Sequence, residues 1–172
     1  MTASSFTSPL RTLFVVLLMM GAAVALTPSS SHAQEAKNSV YVELAGNSLF
    51  YSVNYDRLFN KKVSGRLGVM TAGAGDVSLT SVPLVGNYLF GSGSHRFEVG
   101  AGPQLFLVSI DTENADGIGG IDEDGTAIAG TATLGYRYQP MDGGFQFRIG
   151  FTPSFSQFGF LPWAGLSLGY AF

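Results

Sequence analysis

The chain has 172 residues, 46% of them hydrophobic and only 12% charged, with a net charge of −3. One domain is the expectation at that length, and the charge content is low beside the roughly 25% of soluble globular chains. The absence of cysteine removes disulfides, zinc-thiolate centres and thiol nucleophiles, and the slightly acidic balance argues against nucleic acid as a partner.

The first predicted element is an address. Arg11 precedes an apolar run, Leu13 to Leu26 (LFVVLLMMGAAVAL), and the polar stretch TPSSSHA then places Ser31 and Ala33 before Gln34. A basic n-region, a short h-region and a small-x-small exit predict a secretory signal over 1–33. Ala23-Val24-Ala25 offers a second cut site. No cysteine follows the run, so a lipoprotein is excluded. The mature chain is expected to span 34–172.

Beyond residue 26 no apolar run approaches the ~20 residues that a membrane-spanning helix needs. Alternation with period two recurs instead, and it predicts eight strands. They are Ser39 to Gly46, Phe50 to Phe59, Val63 to Ala72, Leu79 to Phe90, Arg96 to Ile110, Ala127 to Gln139, Phe145 to Phe155 and Trp163 to Phe172. One face of each is greasy, as with Tyr51, Val53 and Tyr55 or Phe145, Phe147 and Ile149. The other carries Gly, Ser and Thr with isolated charges, as with Ser52, Asn54 and Asp56 or Gln146 and Arg148.

Which face points inward decides the class. The polar face is too sparsely charged for a solvated exterior, and the greasy face holds nearly all the strand aromatics. That pattern predicts an all-β, antiparallel, up-and-down transmembrane β-barrel with lipid outside and a small polar interior. The one charge on the greasy face, Arg57, lies near a strand end, where it can snorkel to headgroups. If the mature N-terminus is periplasmic, the connections Asn60-Lys61-Lys62, Gly91 to His95 and Pro140 to Gly144 are short periplasmic turns. The long Asp111-to-Thr126 connection is then extracellular, as such barrels require. Phe59, Tyr88, Phe90, Phe97, Tyr138, Phe145, Tyr170 and Phe172 all fall beside the periplasmic strand ends, as an interfacial aromatic girdle should.

The ending Leu166-x-Leu168-x-Tyr170-x-Phe172 resembles the C-terminal strand signature of bacterial outer-membrane β-barrels. The opening YVELAGNSLFYSVNYDRLF resembles the first hairpin of small outer-membrane barrels of the OmpA/OmpX type. The resemblance implies a bacterial cell outer-membrane location, outer-membrane lipid as the surrounding partner, and an assembly signal at Tyr170 and Phe172 read by the barrel-assembly machinery. It carries no catalytic residues. A monomer is expected.

Chemistry is sparse. Of two histidines, His32 leaves with the signal and His95 falls on a predicted periplasmic turn, so no histidine is placed beside a serine or aspartate at the outer rim. An enzyme, with lipid modification as its chemistry, is therefore the third reading; neither a cofactor nor a transition metal is expected. The glycine pairs complete no G-x-G-x-x-G. The loop DTENADGIGGIDEDG carries Asp111, Glu113, Asp116, Asp122, Glu123 and Asp124. Its carboxylates could wrap calcium, but the spacing misses the EF-hand template, and a solvated, mobile loop is the favoured reading.

Five charges are predicted to point into the barrel: Asp56, Arg66, Glu98, Arg137 and Arg148. Asp56 should face Arg66 if Phe59 pairs with Val63, and Glu98 should meet Arg137. Eight strands leave an interior only wide enough for side chains to fill it, which favours a plug of paired charges over a channel. Pro83 and Pro103, on neighbouring strands at one height, should each break a ladder, with a bulge or widened spacing. The function expected is structural or surface-interacting, without catalysis; the runner-up is passage or binding of small or hydrophobic molecules.

Overall fold

A computed structural model describes residues 35–74, 77–110, 125–157 and 159–172. Its strands are β1 (Asn38–Ala45), β2 (Tyr51–Leu58), β3 (Val63–Ala74), β4 (Val77–Phe90), β5 (His95–Ile110), β6 (Gly125–Tyr138), β7 (Gly144–Phe151), β8 (Ser154–Ser156), β9 (Gly159–Leu161) and β10 (Ala164–Ala171). β1 to β7 pair in sequence, β10 joins β7, and β10 returns to β1 with Val40 opposite Tyr170. Eight strands thus close an antiparallel barrel, the all-β fold that the alternation predicts. The eight registers give a stagger of about ten residues on one circuit, which tilts the strands by roughly 35–45°.

The predicted seventh strand is interrupted. β7 and β8 lie on β6 in one continuous register, Leu134 opposite Phe151 and Thr131 opposite Ser154, with Thr152 and Pro153 between them. β9 and β10 likewise follow one register against β8 and β7, which sets Pro153 opposite Pro162. Each proline lacks a donor and ends its ladder, so the tip of this hairpin stands apart as β8–β9. That tip begins before Trp163, where the sequence pattern starts its last strand.

Pro83 and Pro103 also break ladders. Pairing between β3 and β4 lapses from Leu67–Leu84 to Met70–Ser81, and between β4 and β5 from Pro83–Gln104 to Gly86–Ala101. The register is the same on both sides of each gap, so no residue is inserted and neither site is a bulge. β5 and β6 pair without a break through Pro103–Gly130. A strand residue directs its N–H to one neighbour only, and the missing donor of Pro103 is the one that would face β4. The backbones close up there: a Cβ on Gly102 would lie 1.9 Å from the Leu84 carbonyl oxygen.

Polarity is inverted relative to a soluble domain. Val42, Leu44, Leu67, Leu84, Val99, Leu134, Ile149 and Leu168 are exposed on the outside, whereas Ser52, Asn54, Ser64, Asn87, Thr133 and Ser167 are buried within. Phe59, Tyr88, Phe90, Phe97, Phe145 and Tyr170 are exposed at one end, which also carries Asn38, Phe172 and the turns at 59–62, 91–94 and 139–143. Here it is termed the short-turn end. Arg57 is exposed at the same end and donates to Asn38 Oδ1 at 3.4 Å.

Candidate functional site

The lumen gathers the buried charge. Glu43 from β1, Asp56 from β2, Arg66 from β3, Glu98 from β5, Arg137 from β6 and Arg148 from β7 are all at most 3% exposed. Arg137 is the hub. Its Nη1 and Nη2 donate to the two oxygens of Asp56, each at 3.0 Å, and its Nε donates to Glu98 Oε2 at 2.8 Å. Arg148 Nη2 reaches both Glu98 oxygens at 2.7 Å, and its Nη1 lies 3.7 Å from Asp56 Oδ2. That guanidinium also donates to the Tyr41 hydroxyl and lies 4.8 Å from the Tyr41 ring centroid. Arg66 Nη1 pairs with Glu43 Oε1 at 3.3 Å.

These six charges balance three against three, and a seventh buried charge, Arg96, donates its Nε to the Gly93 carbonyl at 2.8 Å at the short-turn end. Desolvation is costly for each ion, and multidentate geometry is what offsets it. Glu98 and Arg137 meet as their inward positions require. Asp56 and Arg66 do not pair, although they are cross-strand partners in the β2–β3 register. Arg66 turns instead toward Glu43 and Asn47 on the side away from the short turns, while Asp56 is taken by Arg137 and Arg148 from the opposite wall. Long side chains span a narrow lumen, so adjacency along the wall does not choose partners.

The network is capped by a part of the chain that the strand pattern leaves as a plain turn. Between β1 and β2, the 3₁₀ turn Gly46–Ser48 folds into the barrel and is buried. Asn47 donates to Thr131 Oγ1 at 2.6 Å and to the Ala132 carbonyl at 3.1 Å, and accepts from Arg66. Gln104 donates to the Asn47 carbonyl and to Ser81 Oγ. Ala45 and Leu49 have positive φ, and Phe50 N–H bonds the Ser48 carbonyl at 3.1 Å, making Leu49 the centre of a γ-turn. Trp163 Nε1 donates to the Leu49 carbonyl at 2.8 Å from the rim. Glu43, Tyr41, Asn47 and Gln104 were not singled out by sequence. The signal for Glu43 was parity: it lies on the inward face of its strand, as Asp56 and Glu98 do on theirs.

The remaining predicted positions are not part of this cluster. Tyr170 is exposed on the outer face opposite Val40 and Phe145. Phe172 and Asn38 exchange backbone hydrogen bonds at 2.8 and 2.9 Å, closing the last rung of the barrel. His95 shares a hydrogen bond with the Tyr136 hydroxyl at the short-turn end. Asp111, Glu113, Asp116, Asp122, Glu123 and Asp124, like the predicted signal, lie outside the described residues.

No protein-family model matches the sequence, and no curated protein matches it. Two solved structures are similar. The N-terminal β-barrel domain of Pseudomonas aeruginosa OprF shares 18% identity at a TM-score of 0.57, over 81% of this chain and 98% of that one. The Yersinia pestis outer membrane protein Ail shares 16% at a TM-score of 0.47, over 80% of this chain and 100% of that one. Closed ring, inverted polarity and filled lumen agree on one architecture: the chain is an eight-stranded antiparallel barrel with the fold of small bacterial outer-membrane barrels of the OmpA/OmpX type.

Proposed function

We propose that the protein is a monomeric, non-conducting barrel of the bacterial outer membrane, with a structural and surface-interaction role and no catalysis. The observation that carries this reading is the lumen: three arginines, three carboxylates and the inserted Gly46–Ser48 turn occupy it. The short-turn end then faces the periplasm, and the opposite strand ends, with the β8–β9 hairpin, face outward. The outer rim bears exposed Phe155 and Phe160, with ring centroids 5.1 Å apart, which supports contact with other surfaces there. Outer-membrane lipid and, during biogenesis, the barrel-assembly machinery are the partners of this reading.

Single-channel recording on protein refolded into planar bilayers tests it. The expected result is an absence of steady conductance in the intact chain. Steady porin-like openings would overturn the non-conducting reading.

A further inference from the structure

At the end away from the short turns, β3 to β6 exchange the polarity of their faces. Up to the level of Val82, Leu105 and Ile128, apolar groups face outward and Ser81 and Gln104 face the lumen. One rung higher the outward row is Thr71–Thr80–Leu107–Thr126, and beyond it Ser78 pairs with Ser109. The inward rows at this height are apolar: Met70 beside Phe106 and Ala127 across Ser81, then Ala72–Leu79–Val108–Gly125. Hydroxyls outside and hydrocarbon inside is the arrangement of a sheet standing in water, so the hydrocarbon layer ends near the Thr71–Thr80 hydrogen bond of 3.2 Å.

The opposite wall does not rise to cover that inner face. β1 ends at Ala45, β2 starts at Tyr51 and β10 starts at Ala164. The β2–β3 ladder stops at Val53–Val69 although β3 runs on to Ala74. Above that rung the wall is unpaired, and a recess of about 450 Å³ opens at the seam, lined by Phe50, Tyr51, Ala72, Gly73, Val77 and Leu79. Among the described residues no charged side chain lines it, and the Tyr51 hydroxyl is already spent on the Thr71 carbonyl. Its volume lies within the ~300–1,000 Å³ of ligand sites. Tyr51 belongs to the outward-facing series of Val53 and Tyr55, so the recess is continuous with the lipid-facing surface.

We propose that this recess takes one acyl chain of an outer-leaflet lipid, which enters sideways through the open top of the β2–β3 seam. The described lining offers hydrocarbon contact, which selects a chain rather than a headgroup, and the seam opens at the level of Tyr51 and Thr71, where the hydrocarbon layer ends. The floor is the Asn47–Gln104–Ser81 plug, so the chain is held at the mouth and is not passed inward. The inference rests on the membrane placement proposed above.

The test uses the full chain refolded into vesicles containing a phospholipid with a photoactivatable diazirine near the end of one acyl chain, followed by peptide mapping. Label is expected on the recess residues Phe50, Ala72 or Leu79, and also on the lipid-facing Val82 and Leu84. Ala72→Trp, or the milder Leu79→Phe, should fill the recess and lose the first label while keeping the second, which reports insertion. Label confined to Val82 and Leu84 would overturn the recess and leave the membrane placement standing. Absence of both labels would overturn the two together. Recess label that survives both fillings, or that comes only from a diazirine fatty acid added to detergent-solubilised protein, would overturn entry from the leaflet.

Discussion

Arg137 holds carboxylates from two different walls, and its loss would leave Asp56 and Glu98 with Arg148 alone. Arg137→Ala is therefore expected to destabilise the barrel by about 3–5 kcal/mol, the range for a broken buried pair, as read from urea unfolding in lipid vesicles. Replacing both members of the simpler pair, Arg66→Met with Glu43→Leu, should cost much less than either single change, because no ion is stranded. A double-mutant cycle should find stronger coupling between Arg66 and Glu43 than between Arg66 and Asp56; the reverse ranking would mean that the wall register chooses the partners after all. At this scale the sequence conveyed which face each charge occupies, since parity along a strand is local. It did not convey the pairing of Asp56, because that is settled across the lumen by residues on β6 and β7.

Among the elements, the Gly46–Ser48 turn is the one that propensity hid. Its inward fold is fixed by Thr131 and Gln104, far away in sequence, so no neighbouring residue announces it. Ala45 does bear a mark of it, at φ 57° and ψ −130°, a conformation suited to glycine. Ala45→Gly is expected to stabilise by about 1 kcal/mol, visible as a higher urea midpoint. Pro153 and Pro162, by contrast, were in plain view nine residues apart; what the period-two pattern lacked was the recognition that two missing donors at one level split a hairpin. Changing both to threonine should extend the ladder, and slower amide exchange across 154–161 would report it. The closing seam has a stricter requirement. A Cβ at Gly169 would lie 2.2 Å from the Val40 carbonyl oxygen, so Gly169→Ala should impair β1–β10 closure, with loss of the fast-migrating folded band on unheated gels.

For the molecule as a whole, alternation and the placement of aromatics made the barrel legible, because a membrane permits few ways to satisfy a backbone. What stays proposed at this scale concerns the cell. Phe172→Ala removes an aromatic at the last rung, where anchoring and assembly recognition would coincide. Unfolded chain in the periplasm, from a variant that still folds from urea into detergent, is the expected pattern; normal insertion in outer-membrane fractions would leave Phe172 with anchoring alone. Protease added to intact cells should cut within 111–126 and leave the barrel embedded, and protection there would invert the topology.

The paired hydrogen bonds between Asn38 and Phe172 make the described chain nearly a circle: its two ends abut on one rung, on the same side of the barrel. A circle can be cut elsewhere. Joining Phe172 to residue 35 through a short linker, and opening the chain between 111 and 124, would preserve every ladder pair while moving the aromatic ending into the interior of the sequence. Such a permuted protein should refold in detergent as the parent does. Its fate in a cell would then show whether insertion depends on the last strand as a finished shape or on the place of its aromatic residues in the sequence.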